Sequence, residues 1–219
     1  MARVKSGAAG EFNGGFKDAV LAKWKGLLIS KAFPSPSSKP AVLSQLMQRA
    51  VFGLMTSFVS KVGETIELGF QNTKGALTAY NAAVKKNIFI AISGAYPNYT
   101  LDYAKFQFSD GNGAQIDGPE GITYTAVVNK RTTITWTEEE LIRPGSLGTD
   151  MLRVIFYNET GKFCMTHAEA AQRSKLTATV RLPFEDAGDV VHGWVMFVSA
   201  DGKMVSRSVY LGKILNTGA

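Results

Sequence analysis

Two kinds of hydrophobic periodicity divide the chain near residue 100. Before that point, Leu43, Met47, Ala50, Leu54 and Phe58 recur at helical spacing, and Leu46, Val51 and Met55 widen the stripe. Apolar residues at this period form one face of an amphipathic helix, so the pattern predicts a helix over 41–62. Gln45, Gln48, Arg49 and Lys61 take its polar side. Pro40 stands where a first-turn proline is tolerated, and Gly63 is placed to end the helix. Tyr80, Val84, Ile88 and Ile92 repeat every four residues and predict a second helix over 78–93, with Gly94 as its cap. The two helices are expected to pair, with the segment around Ile66–Phe70 between or beside them.

After Leu101 the period shortens to that of strands. Apolar and β-branched runs occur at Lys105–Phe108, Ile122–Val127, Thr132–Thr137, Met151–Tyr157, Leu176–Leu182, Val190–Val198 and Val205–Leu211. Turn residues separate them, among them Asp110-Gly111-Asn112-Gly113, Asp117-Gly118-Pro119, Pro144-Gly145 and Asp201-Gly202. Seven short strands at this spacing match an immunoglobulin- or fibronectin III-like antiparallel β-sandwich. Ile134 and Trp136 alternate with Thr133 and Thr135, which places Trp136 on an inward face. The expected fold class is therefore α+β. It has two domains, a basic helical domain over 1–100 and an Ig-like β-sandwich over 101–219.

The N-terminal part is less periodic. Residues 17–33 fit a strand or a helix, and Gly26 tips the reading toward extended structure. Residues 34–40 (PSPSSKP) form a linker. Residues 1–16 carry Gly7, Gly10, Gly14 and Gly15 beside the apolar Val4, Phe12 and Phe16. Such a segment reads as an extended arm that orders by lying across another surface, its own or a neighbour's.

Charge sharpens the division. The formal net charge is +6, with an excess of eight positive charges over residues 1–100 and of two negative charges over 101–219. A basic half interleaved with aromatics fits phosphate contact and base stacking. Lys17, Lys23, Trp24, Lys25 and Lys31 are the candidates for nucleic-acid contact. The opening has no apolar run of the roughly 7–15 residues a signal peptide needs, and no stretch of about 18 apolar residues predicts a membrane span. Synthesis in the cytoplasm is expected, with residence in a virion or an exported assembly left open.

A search for chemistry yields little. There is no P-loop, no G-x-S-x-G, no H-E-x-x-H and no C-x-x-C. Cys164 and His167 are too few ligands for a zinc site, which takes four. His192 alternates with Trp194 as an ordinary strand residue would. The Glu138-Glu139-Glu140 run reads as a solvated loop. No catalytic residue, cofactor or metal is expected, and the chain reads as not an enzyme.

Several motifs recur together: Trp24-Lys25-Gly26, the helix Gln45-Leu46-Met47-Gln48-Arg49-Ala50, Asn81-Ala82-Ala83, Tyr96-Pro97-Asn98-Tyr99-Thr100, Phe197-Val198-Ser199-Ala200-Asp201-Gly202-Lys203 and Ser208-Val209-Tyr210-Leu211-Gly212. In this combination the chain resembles a family of uncharacterised proteins, a domain of unknown function, associated with Bacteroidota and their phages. Glu11 to Trp24 departs from the more Gly/Val-rich opening of that family. The resemblance implies a helical part followed by an Ig-like part, no enzyme activity, and no functional residues to carry over. The expected function is structural: self-association or docking in a larger assembly such as a virion, tail-like particle or surface filament. The partners would be further copies or other assembly proteins. The alternative is a nucleic-acid-binding accessory protein. Sugar or surface binding by the loop Asp110–Gly121 is a third reading.

Overall fold

The computed structural model describes residues 2–3, 14–16, 19–24, 27–33, 39–73, 77–109, 116–125, 129–137 and 143–216. It divides into two compact units, Met1–Leu43 and Ser44–Ala219. In the first, β1 (Ala2–Arg3), β2 (Gly14–Phe16), β3 (Ala19–Trp24) and β4 (Leu27–Ala32) form an antiparallel sheet in the order β1-β4-β3-β2. The extended reading of 17–33 takes the form of a hairpin in which Trp24 pairs with Leu27. The described parts of the expected arm are strands of this same sheet. Ala2–Arg3 pair with β4 and Gly14–Phe16 with β3.

The helices are α1 (Leu43–Lys61), α2 (Gly63–Gly69) and α3 (Ala79–Ile90), and all but the first residue of α1 belong to the second unit. Gly63 does not end the helical region, because α2 starts there and brings Ile66 and Phe70 into the core. The Thr78 side chain accepts a hydrogen bond from the Asn81 amide at 3.2 Å and caps α3. The helix stops at Ile90, short of the expected 93. Ile92 instead opens a hairpin of β5 (Ile92–Ala95) and β6 (Asn98–Leu101), where Gly94 has φ +87°. Gly69 ends α2 where a Cβ would run into the Phe108 carbonyl oxygen. Only a glycine lets the chain pass that close.

Seven further strands follow: β7 (Thr123–Tyr124), β8 (Arg131–Thr135), β9 (Met151–Asn158), β10 (Phe163–Gln172), β11 (Thr177–Arg181), β12 (Val190–Val198) and β13 (Val209–Leu215). They form two antiparallel sheets, β10-β9-β12-β13 and β11-β8-β7. Among the described residues the chain is thus mostly β with three α-helices. The seven-strand sandwich stands, and its fourth strand pairs with the third, where the constant immunoglobulin arrangement puts it beside the first, second and fifth.

One of the seven expected runs is not a strand, and one strand falls where none was expected. Lys105–Phe108 is not a strand: its Phe106 and Phe108 are buried plugs, and the buried Asn87 amide serves the Gln107 backbone. Asn87 donates to the Gln107 carbonyl at 2.9 Å and accepts from the Gln107 N–H at 2.8 Å, replacing ladder bonds. The missing strand is β10, an edge strand on β9 with a bulge between His167 and Ala171.

The central strands β9 and β12 are covered on both faces. Leu152, Val154, Phe156, Val191, Val195 and Phe197 pack with Ile134, Trp136, Ala178 and Val180 of the second sheet's side. Ile155, Tyr157, Trp194, Met196 and Val198 pack with Met55, Phe58, Val59, Ile66 and Val84 of the helices. The result is three layers: helices, four-stranded sheet, three-stranded sheet. The boundary expected at residue 100 falls inside this unit, because helix and strand residues on either side of it share one apolar cluster. The expected helical domain over 1–100 also begins with a sheet.

Candidate functional site

A polar cluster lies in the helix-facing core. The β-register sets His192 beside Tyr157 and, one step on, Trp194 beside Ile155, so both β12 side chains face the helices. Tyr103, in the turn after β6, stacks on the imidazole with ring centroids 4.0 Å apart. His192 Nδ1 lies 2.7 Å from the Tyr210 hydroxyl, and Nε2 lies 3.1 Å from Glu159 Oε2. Burial lowers the pKa of His192, and this outweighs the pull of the Glu159 carboxylate, which raises it. A neutral imidazole has one N–H. The carboxylate can only accept, so Nε2–H donates to Glu159 and the Tyr210 hydroxyl donates to Nδ1.

Burial also pushes the Tyr210 phenol up to about 12 and raises those of Tyr103 and Tyr157. The imidazole and the three phenols are therefore neutral at pH 7. The Trp194 indole N–H donates to the Tyr103 carbonyl at 3.2 Å. This arrangement ties the turn after the β5–β6 hairpin to the sheet. A general acid or base must reach its substrate, and the His192 side chain is only 7% exposed under the Tyr103 ring. Tyr157 of β9, Glu159 just past its end and Tyr210 of β13 are far apart in sequence, and only the pairing register brings them together.

The titration has a sign. An unfolded histidine takes a proton near pH 6.5, whereas folded His192 takes it only at lower pH. Stability from this site is complete above about pH 6.5 and declines as pH falls from there through the lowered folded value. Asp102, Asp189 and Asp201 have lowered pKa values and act below about pH 4. Urea midpoints measured between pH 8 and 4.5 are expected to fall on the acid side in the wild type and to fall less in His192→Gln. Equal slopes would remove the assignment.

The remaining sequence candidates are dispersed. Cys164 pairs with Tyr157 and His167 with Val154, so the two point to opposite faces of the sheet and do not share a ligand. Burial pushes the Cys164 thiol up to about 11, which makes it a poor nucleophile. Among the described residues, no group of three or more His, Cys, Asp or Glu could hold a metal. Lys31 pairs with Val20 and Lys23 with Leu28. The alternation of a strand therefore places Lys23 and Lys31 on opposite faces of the N-terminal sheet. Trp24 ends β3 and Phe16 ends β2, while Lys17, Lys25, Val4 and Phe12 lie outside the described residues. Half of the loop Asp110–Gly121, residues 110–115, lies outside them as well.

The open feature is apolar. Ser44, Met47, Gln48, Val51 and Phe52 of α1, with Ile88 of α3 and Tyr99 of β6, line a groove of about 350 Å³. Residues 42–49 are all exposed, and the first fully buried α1 residue is Met55. Leu43, Leu46, Met47 and Phe52 lie exposed along this part of α1. The stripe that predicted the helix thus splits: its second half is core, and its first half is surface. No helix among the described residues is long and apolar enough to cross a membrane.

Comparison with solved structures finds short sandwich-sized matches. The twitchin kinase region from C. elegans aligns with 14% identity and a TM-score of 0.36, covering 48% of this chain and 17% of that one. Titin kinase and its flanking domains align with 16% identity and a TM-score of 0.35, covering 47% and 17%. The fn3 domain of human collagen alpha-1(XX) aligns with 12% identity and a TM-score of 0.35, covering 51% and 93%. This chain therefore spans under a fifth of the twitchin and titin structures. No curated protein matches it. A family profile matches residues 12–212, and the chain belongs to that family, described as a family of unknown function (DUF6266).

Proposed function

We propose that this chain is a non-enzymatic interaction protein that self-associates or docks within a larger assembly, such as a virion, tail-like particle or surface filament of bacterial or phage origin. The observation that carries this reading is the uncovered first half of α1. Short helices are marginal in water and gain their stability from packing an apolar face. Here three turns carry Leu43, Leu46, Met47 and Phe52 with that face open. Contiguous exposed apolar surface of this kind marks interaction sites, and a groove lined by helices suits an apolar segment laid into it. Met47 at its wall supplies an adaptable contact.

Light scattering after size-exclusion chromatography tests the reading. The full chain is expected to associate as concentration rises. Phe52→Asp, at a position already 52% exposed, is expected to keep its melting temperature. It should weaken association roughly 10- to 100-fold, the value of desolvating one large apolar side chain. A wild-type protein that stays monomeric at high concentration, with no partner drawn from its source cells, sinks the proposal.

A further inference from the structure

In β8 and β11, Thr132, Ile134, Ala178 and Val180 are buried, and the residues that alternate with them face outward. The antiparallel register sets those outward residues directly opposite one another. Arg131 meets Arg181, Thr133 meets Thr179, and Thr135 meets Thr177. Thr123 of β7 extends the last rank, since it pairs with Thr135. The outward face is thus ranks of threonine with two arginines at one end. None of these positions holds an acidic, aromatic or large apolar side chain.

Arginine opposite arginine has a cost. Side chains directly opposite in an antiparallel pair stand roughly 5 Å apart at Cβ, and like charges there are destabilising. Both arginines are exposed, and neither forms an ion pair among the described residues. Their neighbour Lys130 directs its ammonium to the Phe184 and Glu185 carbonyls at 3.0 and 3.4 Å, which brings no carboxylate to the pair.

A guanidinium stays charged and presents a planar fork of N–H donors that fits two oxygens of a phosphate or sulfate group. Two forks side by side, with no carboxylate of the chain between them, suit one tetrahedral oxyanion, and its charge would relieve their repulsion. The next ranks are hydroxyls. The Oγ1 atoms of Thr133 and Thr179 lie 2.9 Å apart, and those of Thr123 and Thr135 lie 2.8 Å apart. A hydroxyl both donates and accepts, so these ranks match the hydroxyls of a sugar. The face offers no aromatic ring, whereas single-stranded nucleic acid is held by stacking bases on such rings.

We infer that this sheet face binds an anionic polysaccharide, Arg131 and Arg181 holding one phosphate or sulfate ester and the threonine ranks hydrogen-bonding to the adjoining sugar. The face belongs to the three-stranded sheet and the apolar groove to α1 and α3. They are separate surfaces, and either function stands without the other.

The test titrates the full chain with dextran, dextran sulfate and dextran phosphate of one chain length, followed by calorimetry. Binding is expected to a substituted dextran and not to the plain one, and it should weaken as salt screens the exposed charges. The tighter of the two substituted dextrans names the ester. Arg131→Gln with Arg181→Gln is expected to weaken binding roughly 10- to 100-fold, the worth of one or two charge-assisted contacts. The same variant should melt no lower than wild type, because a like-charged pair is removed. Arg49→Gln with Lys85→Gln removes equal charge from the exposed helix surface and is expected to leave binding unchanged. Equal loss in the two variants would mean that net charge alone drives binding, and it overturns the inference. A wild type that ignores both substituted dextrans overturns it too, as does tighter binding to single-stranded DNA than to either of them.

Discussion

Trp194→Ala is expected to cost about 3–5 kcal/mol, the range for truncating a buried aromatic. Trp194 is fully buried where helices and sheet meet. Its ring lies 5.0 Å from that of Phe108 and 5.4 Å from that of Tyr210, and its N–H serves the Tyr103 carbonyl. The substitution opens a cavity and leaves the Tyr103 carbonyl without its indole donor. Against a typical total of 5–15 kcal/mol this is a large fraction. For a chain of this length the melting temperature should fall by roughly 6–20 °C. Circular dichroism followed at helix and strand wavelengths is expected to show both signals lost together. A helix signal that melts separately, or an unchanged midpoint, would mean that the helices do not depend on the sheet.

Trp136→Ala tests the other face of the same sheet, with a comparable cost of about 3–5 kcal/mol. Trp136 follows β8 and is 5% exposed. It packs edge-on against Phe197 at 5.9 Å and donates its N–H to the Arg173 carbonyl at 2.9 Å. Arg173 in turn lies 3.8 Å over the Phe197 ring and pairs with the buried Asp150 at 3.1 Å. Losing the indole therefore loosens a buried ion pair as well as apolar packing, and a buried charge without good partners is costly. Differential scanning calorimetry is expected to show one lowered transition for the Ser44–Ala219 unit. An unshifted transition would place Trp136 outside the core.

What could be read in advance follows from what periodicity encodes. Alternation in Thr132–Thr137 showed Trp136 facing inward, since a strand's two faces differ when only one is buried. The helix layer over the sheet was harder to see. Its signal was the loss of alternation in Val154–Tyr157 and Trp194–Val198, runs expected when a strand is covered on both sides. Such runs mark strands but do not name what covers their second face. β10 escaped because His167, Glu169 and Gln172 with several alanines make a weak β-pattern, suited to an edge. The groove escaped for a related reason. Spacing says which residues share a helical face, and Leu43, Met47 and Phe58 do share one; it does not say where along the helix the cover ends. The histidine cluster depends on register between β9, β12 and β13, which no local pattern contains.

The order of the layers along the chain has a consequence during synthesis. The helices are made first, yet Met55, Phe58 and Val84 bury their side chains against Ile155, Trp194 and Met196, which are made last. At about 5–20 residues per second, the interval between Met55 and Met196 leaving the ribosome is roughly 7–28 s. Throughout it the nascent helices have an apolar face and no sheet to place it on. The newborn chain is thus a client for whatever shields apolar helices at the exit tunnel, and its yield on expression should depend on chaperone supply more than its final stability would suggest.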